Sequence, residues 1–202
     1  MKIAILVEGA TEMAFRKKLR EFLQSRLEQK MPRLDFKPQH GGIPKEAELK
    51  LIVENLLDND GYDAVIALTD VYTGKQDFKD ANDAKDKMRR WVDKNPKFYP
   101  HTALHDFEAW LLPYWTTIQK LAKHNRSAPS GLPETVNHQN APSDRIKEIF
   151  SSGQCRRDYN KVIDGVAILK DNDLMIAIQA CPELKAFVNR IISLCDEDKI
   201  IY

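Results

Sequence analysis

The chain has 202 residues, of which 43% are hydrophobic and 30% charged, and its 31 basic and 30 acidic residues give a formal net charge of +1. This length predicts one domain, or one domain with an extension, and the apolar share is large enough for a sizeable core. The charge balance neither requires nor excludes nucleic acid as a partner, because a local basic groove can lie within a near-neutral total.

The three cysteines do not fit a domain stabilised by disulfides or by a structural zinc ion. Cys155, Cys181 and Cys195 are odd in number and have no C-x-x-C spacing, so neither a disulfide framework nor a structural zinc site is expected. The first strand reaches Glu8 too soon for a signal sequence, and no apolar window is long enough to span a bilayer. We therefore expect a soluble cytoplasmic protein with no membrane partner.

The first 124 residues alternate between strand and helix patterns. Continuous or alternating apolar runs predict strands at 2–7, in "RLDFKPQHGG", at about 63–69 and in "KFYPHTALH". Helices are predicted at about 12–29 with Thr11 as N-cap, from Pro44 to about Leu57, and through Met88 and Trp91. The stretch "DFEAWLLPYW" is an apolar helix or loop. This alternation predicts an α/β fold, with an open sheet of mostly parallel strands flanked by helices.

The character of the sequence changes from about residue 125. "NRSAPSGLPETVNHQNAPS" is rich in Pro, Ser and Asn and is typical of a long loop. Helices alone follow, at roughly 143–150, 157–164, 171–180 and 183–194, with Asp171 and Pro182 at boundaries. We therefore divide the chain into an α/β core at 1–124 and an all-helical C-terminal extension at 125–202 that packs on it.

Three carboxylates lie at predicted strand ends. Glu8 follows the first strand, Asp70 follows the strand at 63–69, and Glu108 lies just past the strand in "KFYPHTALH". The carboxyl ends of parallel strands share one edge of the sheet, where ligands usually bind. Clustered carboxylates repel one another unless a cation neutralises them, so the pattern favours a site for Mg²⁺ or Mn²⁺.

Each of these residues also has a structural interpretation. Glu8 fits a solvated loop, Asp70 an Asx-type turn, and Glu108 a helix start. His105 fits a hydrogen-bonded structural histidine, although its closeness to Asp106 and Glu108 also suits a residue that orients a metal ligand. The nearby acids Asp77, Asp80 and Asp83 are expected to be solvated.

The order of several motifs adds a resemblance. "VEGATE", "LTDVYTG", "LHDFEAWLL", "APSDRIKEIF", "DYNKVIDG" and "AIQACPELKAFV" follow one another along nearly the whole chain. In this order they resemble the bacterial family catalogued as domain of unknown function 4276, a Toprim-like family. Toprim is the metal-binding α/β domain shared by topoisomerases, primases and the overcoming-lysogenization-defect nucleases.

The resemblance implies Mg²⁺- or Mn²⁺-dependent hydrolysis of phosphodiester bonds. Glu8 corresponds to the Toprim glutamate that acts as general acid/base or metal ligand, and Asp70 to the first acid of the Asp-x-Asp motif. The second acid of that motif is replaced by Tyr72, so Glu108 or a neighbouring acid would complete the metal site. His105 and Lys161 join Glu8 as candidate catalytic residues.

Basic residues of the helical extension are candidates for binding the substrate phosphate. They are Arg145, Arg156, Arg157 and Lys161, and a guanidinium fork suits bidentate contact with phosphate. Salt bridges on solvated helix faces are the alternative for Arg145 and Lys161. Tyr159 either stacks on a base or packs in the core.

Three functions remain open at this level. The first is a Toprim-like nuclease acting on nucleic acid, with an ATPase partner and a place in defence against phage or plasmids, as the resemblance implies. The second is a non-catalytic module with a degenerate metal site that binds a partner protein or nucleic acid. The third, a phosphatase or phosphotransferase acting on a small nucleotide, fits less well because no phosphate-cradling glycine loop is visible. The oligomeric state stays open.

Overall fold

The computed structural model of the chain describes residues 1–39, 42–71, 78–136 and 140–202, and within residues 10–14 it describes the backbone only. Within these residues, four parallel strands form one sheet in the order β2-β1-β3-β4. The strands are β1 (Lys2–Val7), β2 (Arg33–Pro38), β3 (Ala64–Val71) and β4 (Phe98–Leu104). The predicted α/β class is confirmed, and the sheet is entirely parallel.

Helices alternate with the strands up to β4, and the described elements after β4 are all helical. The helices are α1 (Ala10–Leu27), α2 (Glu46–Glu54), α3 (Ala81–Trp91), α4 (Trp115–Ala122), α5 (Pro142–Ser152), α6 (Lys161–Lys170), α7 (Leu174–Ala180) and α8 (Pro182–Cys195). The apolar stretch after β4 forms a 3₁₀ helix, Phe107–Tyr114, and a π-helical turn, Asn55–Asn59, extends α2. None of the described helices has the length and apolar character that crossing a membrane requires.

The inner strands β1 and β3 consist mainly of apolar residues because both of their faces are covered. In β1, Ile3, Ile5 and Val7 pack on one side of the sheet, and Ala4 and Leu6 on the other. The first side carries α1, the 3₁₀ helix and the helices from α4 to α8, and the second carries α2 and α3. Covering of both faces is what a parallel sheet requires, and it explains the uninterrupted apolar run that identified β1.

Several predicted boundaries were wrong. The first helix begins at Ala10 with Gly9 as its N-cap, not after Thr11. The helix predicted from Pro44 begins at Glu46.

Two corrections concern the helical extension. The helix predicted at 157–164 is α6, which begins at Lys161 because the side chain of Asn160 accepts hydrogen bonds from the N–H groups of Val162 and Ile163. α7 begins at Leu174 after Asp173, whose carboxylate accepts a hydrogen bond from Met175 N–H, so the boundary residue of this helix is Asp173 and not Asp171. The division into domains at residue 125 stays a prediction.

Candidate functional site at the carboxyl edge of the sheet

The carboxyl ends of three adjacent strands bring the predicted acids to one edge of the sheet. Glu8 directly follows β1, Asp70 is the next-to-last residue of β3, and Glu108 lies four residues after β4. The register pairs Val7 with Leu68 and Asp70 with Ala103, so these strand ends lie side by side. The fold therefore gathers residues that are as much as a hundred positions apart in the chain.

Glu8 is fixed against the end of β3. Its Oε1 accepts a hydrogen bond from the Thr69 hydroxyl and another from the Asp70 backbone N–H at 3.1 Å. Burial raises the pKa of Glu8, and the hydrogen bonds from Thr69 and Asp70 and the charge of Lys45 oppose that rise. Glu8 is thus a held, half-buried carboxylate and not a solvated loop residue.

The chain turns sharply at His105 to bring the next acids inward. His105 has a φ of 70°, in the left-handed region that a residue with a side chain seldom adopts, and it is buried. Its backbone N–H bonds to Val71 O at 2.9 Å, so it prolongs the β3–β4 pairing before the chain leaves the sheet. The described geometry gives His105 a backbone role in the turn, and its catalytic role stays a prediction.

Asp106 and Glu108 are both completely buried. Asp106 Oδ2 accepts a hydrogen bond from the backbone N–H of Ser143, the second residue of α5, at 3.1 Å. The other oxygen of Asp106, Oδ1, has no hydrogen-bond partner in the described part of the chain. Because a buried acceptor without a donor is costly, this oxygen marks a position where a cation or a donor would be stabilising.

Glu108 is paired with the first residue of α6. Lys161 Nζ lies 3.2 Å from Glu108 Oε1 and 3.3 Å from Oε2, and the Tyr159 hydroxyl lies 3.5 Å from Oε1. The side chain of Lys161 is 42% exposed, whereas that of Glu108 is 1% exposed. The partly exposed side chain of Lys161 thus contacts the buried carboxylate of Glu108.

The charges of this group influence one another strongly. Burial and the neighbouring Asp106 raise the pKa of Glu108 to about 7, against the opposing effect of Lys161. Burial also raises the pKa of Asp106, against the hydrogen bonds from Ser143 and the charge of Lys161. Partial burial disfavours the charged form of Lys161, but Glu108, Asp106 and Asp70 outweigh it and raise the lysine pKa. Lys161 therefore stands in the field of acids from both β3 and the turn after β4.

The other basic candidates are placed differently. Arg157 forms a two-pronged ion pair with Asp164, at 2.6 and 2.7 Å, and its guanidinium lies 5.0 Å from the centre of the Phe150 ring. Arg145 is partly buried, its guanidinium is 3.7 Å from Glu148, and its Nε has no described partner. Arg156 is exposed, with a left-handed φ of 54°. Of the four basic candidates, Lys161 is the one with an ion pair to a predicted site acid.

Some residues of the group were missed or underrated by sequence reasoning. Asp106 was noted only as a neighbour of His105, although the spacing of Asp106 and Glu108 in "HDFEAW" was visible. Thr69 gave no signal, because a threonine in a strand is ordinary. Tyr159 packs on Phe150, with ring centres 5.4 Å apart, so the packing interpretation holds for it.

The described side chains offer the type of ligand that a divalent cation prefers. Carboxylate oxygens are the ligands that Mg²⁺ and Mn²⁺ prefer, and the buried Asp106 Oδ1 still lacks a donor. Among the described residues, however, no three His, Cys, Asp or Glu side chains lie close enough together to hold one ion. The position of Tyr72, and with it the departure from the Asp-x-Asp motif, lies outside the described residues, as does Asp77.

Comparison with known proteins gives one result. The sequence model of the family described as domain of unknown function (DUF4276) matches residues 7–192. No curated protein and no solved structure matches the chain. The matched range contains every residue of the sheet-edge group from Glu8 to Lys161.

Proposed function

The chain belongs to the family described as domain of unknown function 4276, and we propose that it is a Toprim-like, Mg²⁺- or Mn²⁺-dependent phosphodiester hydrolase acting on nucleic acid. One observation carries the proposal: the buried Asp106 and Glu108 lie with Lys161 at the same sheet edge as Glu8 and Asp70. Burying two acids costs stability, so their retention beside one reachable cation favours a functional site over a structural one.

Glu8 and Asp70 would hold the cation in this proposal. They come from adjacent strands, and Glu8 is already oriented by Thr69 and by the Asp70 backbone. A divalent cation would supply positive charge that polarises the phosphate and makes water more acidic. The remaining chemistry falls to the side chains of the chain itself.

Lys161 and Glu108 form the proton-handling and charge-stabilising part. The Lys161 ammonium is accessible, and it can contact a phosphate oxygen while keeping one contact to Glu108. Glu108, in a dry environment beside that ammonium, is placed to exchange a proton with water at the phosphate. Thr69 and Ser143 act as positioning residues, since they hold Glu8 and Asp106.

The test is cleavage of single- and double-stranded DNA and RNA in Mg²⁺ and Mn²⁺. Glu8→Gln and Asp70→Asn should abolish cleavage, and Glu108→Gln should lower its rate by at least about a hundredfold, with the fold kept in each case. Glu148→Gln, which changes a partly exposed acid of α5 away from the sheet-edge acids, is the matched control and should cleave like wild type. Wild-type cleavage rates in both Glu8→Gln and Asp70→Asn would refute the assignment.

A non-catalytic binding module is the second candidate. The observation in its favour is that the described residues contain no group of three metal-binding side chains. Such a module would keep its binding in Glu8→Gln and Asp70→Asn and lose it on charge reversal at Arg145 or Lys161. An ATPase partner, a role in phage or plasmid defence and a cytoplasmic location remain predictions from the sequence.

A further inference from the structure

A second polar region lies beside β4, away from the carboxyl ends of the strands. β4 is one of the two edge strands of the described sheet, and α3 and α8 pack against it from opposite faces. Between them lie two adjoining clefts of about 470 Å³ and about 530 Å³. Both clefts are lined by Arg89, Tyr99 and Arg190, so they form one continuous depression, which we call the β4 groove.

The β4 groove carries an excess of positive charge. Two of its cations are already neutralised, Lys85 by Glu183 and Arg89 by Asp86. Arg90, Lys94 and Arg190 also line the groove and are exposed, and none of the three has an ion pair with a described carboxylate. This local surplus contrasts with the net charge of +1 for the whole chain.

An aromatic ring lies among these cations. The guanidinium of Arg190 lies over the Tyr99 ring, 4.8 Å from its centre. Tyr99 is only half-buried, so the pair forms a flat surface at the meeting point of the two clefts. Stacked arginine and tyrosine side chains are suited to planar bases as well as to negative charge.

His101 adds an incompletely hydrogen-bonded polar side chain to the wall of the first cleft. It lines the first cleft and is 8% exposed, and its Nδ1 is buried with no hydrogen-bond partner in the described part of the chain. Burial, together with the charges of Lys85, Arg190 and Arg89, lowers the pKa of His101 to about 3. The imidazole is therefore neutral at physiological pH, so His101 contributes a polar but uncharged group to the wall of the cleft.

From these observations we infer that the β4 groove binds the phosphate backbone of a single-stranded nucleic acid through Arg90 and Arg190, with Tyr99 stacking against a base. The inference rests on the proposed function in taking nucleic acid as the substrate, and it adds where the strand lies and that it is single. Two adjoining clefts with cations along both suit an extended polyanion better than a single nucleotide. From His101, β4 runs three more residues, about 10 Å, to the edge that carries the acids, so a bound strand would lie along β4 towards Asp106 and Glu108.

The test is fluorescence anisotropy with an end-labelled oligodeoxythymidine in EDTA, over a range of salt concentrations. Replacing both Arg90 and Arg190 by Ala should weaken binding at least about tenfold and reduce the slope of log affinity against log salt by about 1.4, at roughly 0.7 for each lost phosphate contact. The matched control, Arg16→Ala with Arg20→Ala, removes the same charge from α1, which lies beside β2 at the other side of the sheet, and should bind like wild type. Thermal melting of each variant verifies the fold.

Two further measurements identify the ligand. Tyr99→Leu should weaken oligonucleotide binding about fivefold or more and leave the salt slope unchanged, because stacking is not ionic. Polyglutamate and inorganic triphosphate, added as competitors at equal charge, should displace the oligonucleotide poorly. Equal displacement by either would overturn the inference in favour of an acidic protein or a small phosphate ligand.

The outcomes separate this inference from the proposed function. Binding in EDTA that depends on Arg90 and Arg190, with no cleavage in any metal, would refute the proposed hydrolase activity and support binding in the β4 groove. If wild type cleaves nucleic acid but the Arg90 and Arg190 double variant binds the oligonucleotide with unchanged affinity, binding in the β4 groove is refuted and the hydrolase activity is supported.

Discussion

At the scale of single residues, the structure is most unusual where Glu108 meets Lys161. A fully buried carboxylate normally has a matching buried cation, yet the side chain of Lys161 is partly exposed to solvent. The neighbouring Asp106, also buried, adds repulsion to the cost of burial. Glu108 is therefore a group whose charge the folded state tolerates poorly.

This arrangement predicts an unusual dependence of stability on pH. The pKa of Glu108 is about 7 in the folded protein and 4.5 for an unperturbed glutamate. The folded state therefore favours the protonated carboxyl, and the resulting contribution to the free energy of unfolding is fully present below pH 4.5 and is lost as pH rises through 7. The loss amounts to about 3 kcal/mol. In Glu108→Gln, which cannot ionise, the free energy of unfolding should fall less than in wild type between about pH 5 and about pH 8.

Urea denaturation in EDTA across this pH range measures the effect without interference from metal ions. The quantity to compare is the change with pH, because Glu108→Gln also removes the ion pair with Lys161 at every pH. Parallel curves for wild type and variant would show that Glu108 does not titrate in this window.

Glu134 is a buried acid whose role is purely structural. Its carboxylate accepts hydrogen bonds from Trp110 Nε1 at 2.9 Å and from the backbone N–H groups of Glu183 and Leu184 at 3.0 and 3.3 Å. It thereby satisfies N–H groups in the first turn of α8 from outside the helix. Glu134→Ala should lower the free energy of unfolding by about 3 kcal/mol, since three donors lose their acceptor.

The control for Glu134 is Glu148→Ala, in which the lost acid forms only surface ion pairs. Its effect should stay below about 0.5 kcal/mol. Equal destabilisation of the two variants in urea would contradict the capping role of Glu134.

At the scale of elements, the accuracy of each predicted strand or helix depended on the sequence pattern from which it was predicted. The strands were predictable because their apolar runs are long and reflect burial on both faces. α6 was placed too early, because a helical pattern does not reveal that Tyr159 lies outside the helix, packed on Phe150, or that Asn160 is the N-cap. The start of α6 matters for function, since it places Lys161 at the first turn, facing Glu108.

Removal of the α6 cap tests this connection. Asn160→Ala should lower the free energy of unfolding by about 1 kcal/mol, because Val162 and Ile163 lose their side-chain acceptor. It should also slow nucleic-acid cleavage, since the cap sets the position of Lys161. Asn160→Asp, which keeps the acceptor, should restore both, and a variant with unchanged stability would argue against the cap.

Gly153 makes a close contact possible between two helices. A Cβ at this position would lie 2.1 Å from Ala122 O and 2.9 Å from Ile149 O, both backbone atoms that cannot move aside independently. Gly153→Ala should therefore cost about 2–3 kcal/mol by forcing the end of α5 away from α4. The neighbouring Ser151→Ala is the control, with an expected change below about 0.5 kcal/mol in thermal or urea unfolding.

At the scale of the whole molecule, the convergence of acids was predictable but the contacts were not. Parallel strands bring their carboxyl ends to one edge, so Glu8, Asp70 and Glu108 could be grouped from sequence alone. The approach of Ser143 to Asp106 and of Lys161 to Glu108 depends on how the extension helices pack on the sheet, which no local pattern encodes. The β4 groove was equally hidden, because α3 and α8, which flank it, lie almost a hundred residues apart in the chain.

The central claim is that the acids at the carboxyl edge form a site for a divalent cation, and calorimetric titration of the whole chain with Mn²⁺ tests it most directly. We predict saturable binding that is lost in Asp70→Asn and retained in the control Glu148→Gln, which changes a partly exposed acid of α5. No saturable binding at millimolar Mn²⁺, or equal binding by wild type and Asp70→Asn, would contradict the account and favour the non-catalytic module.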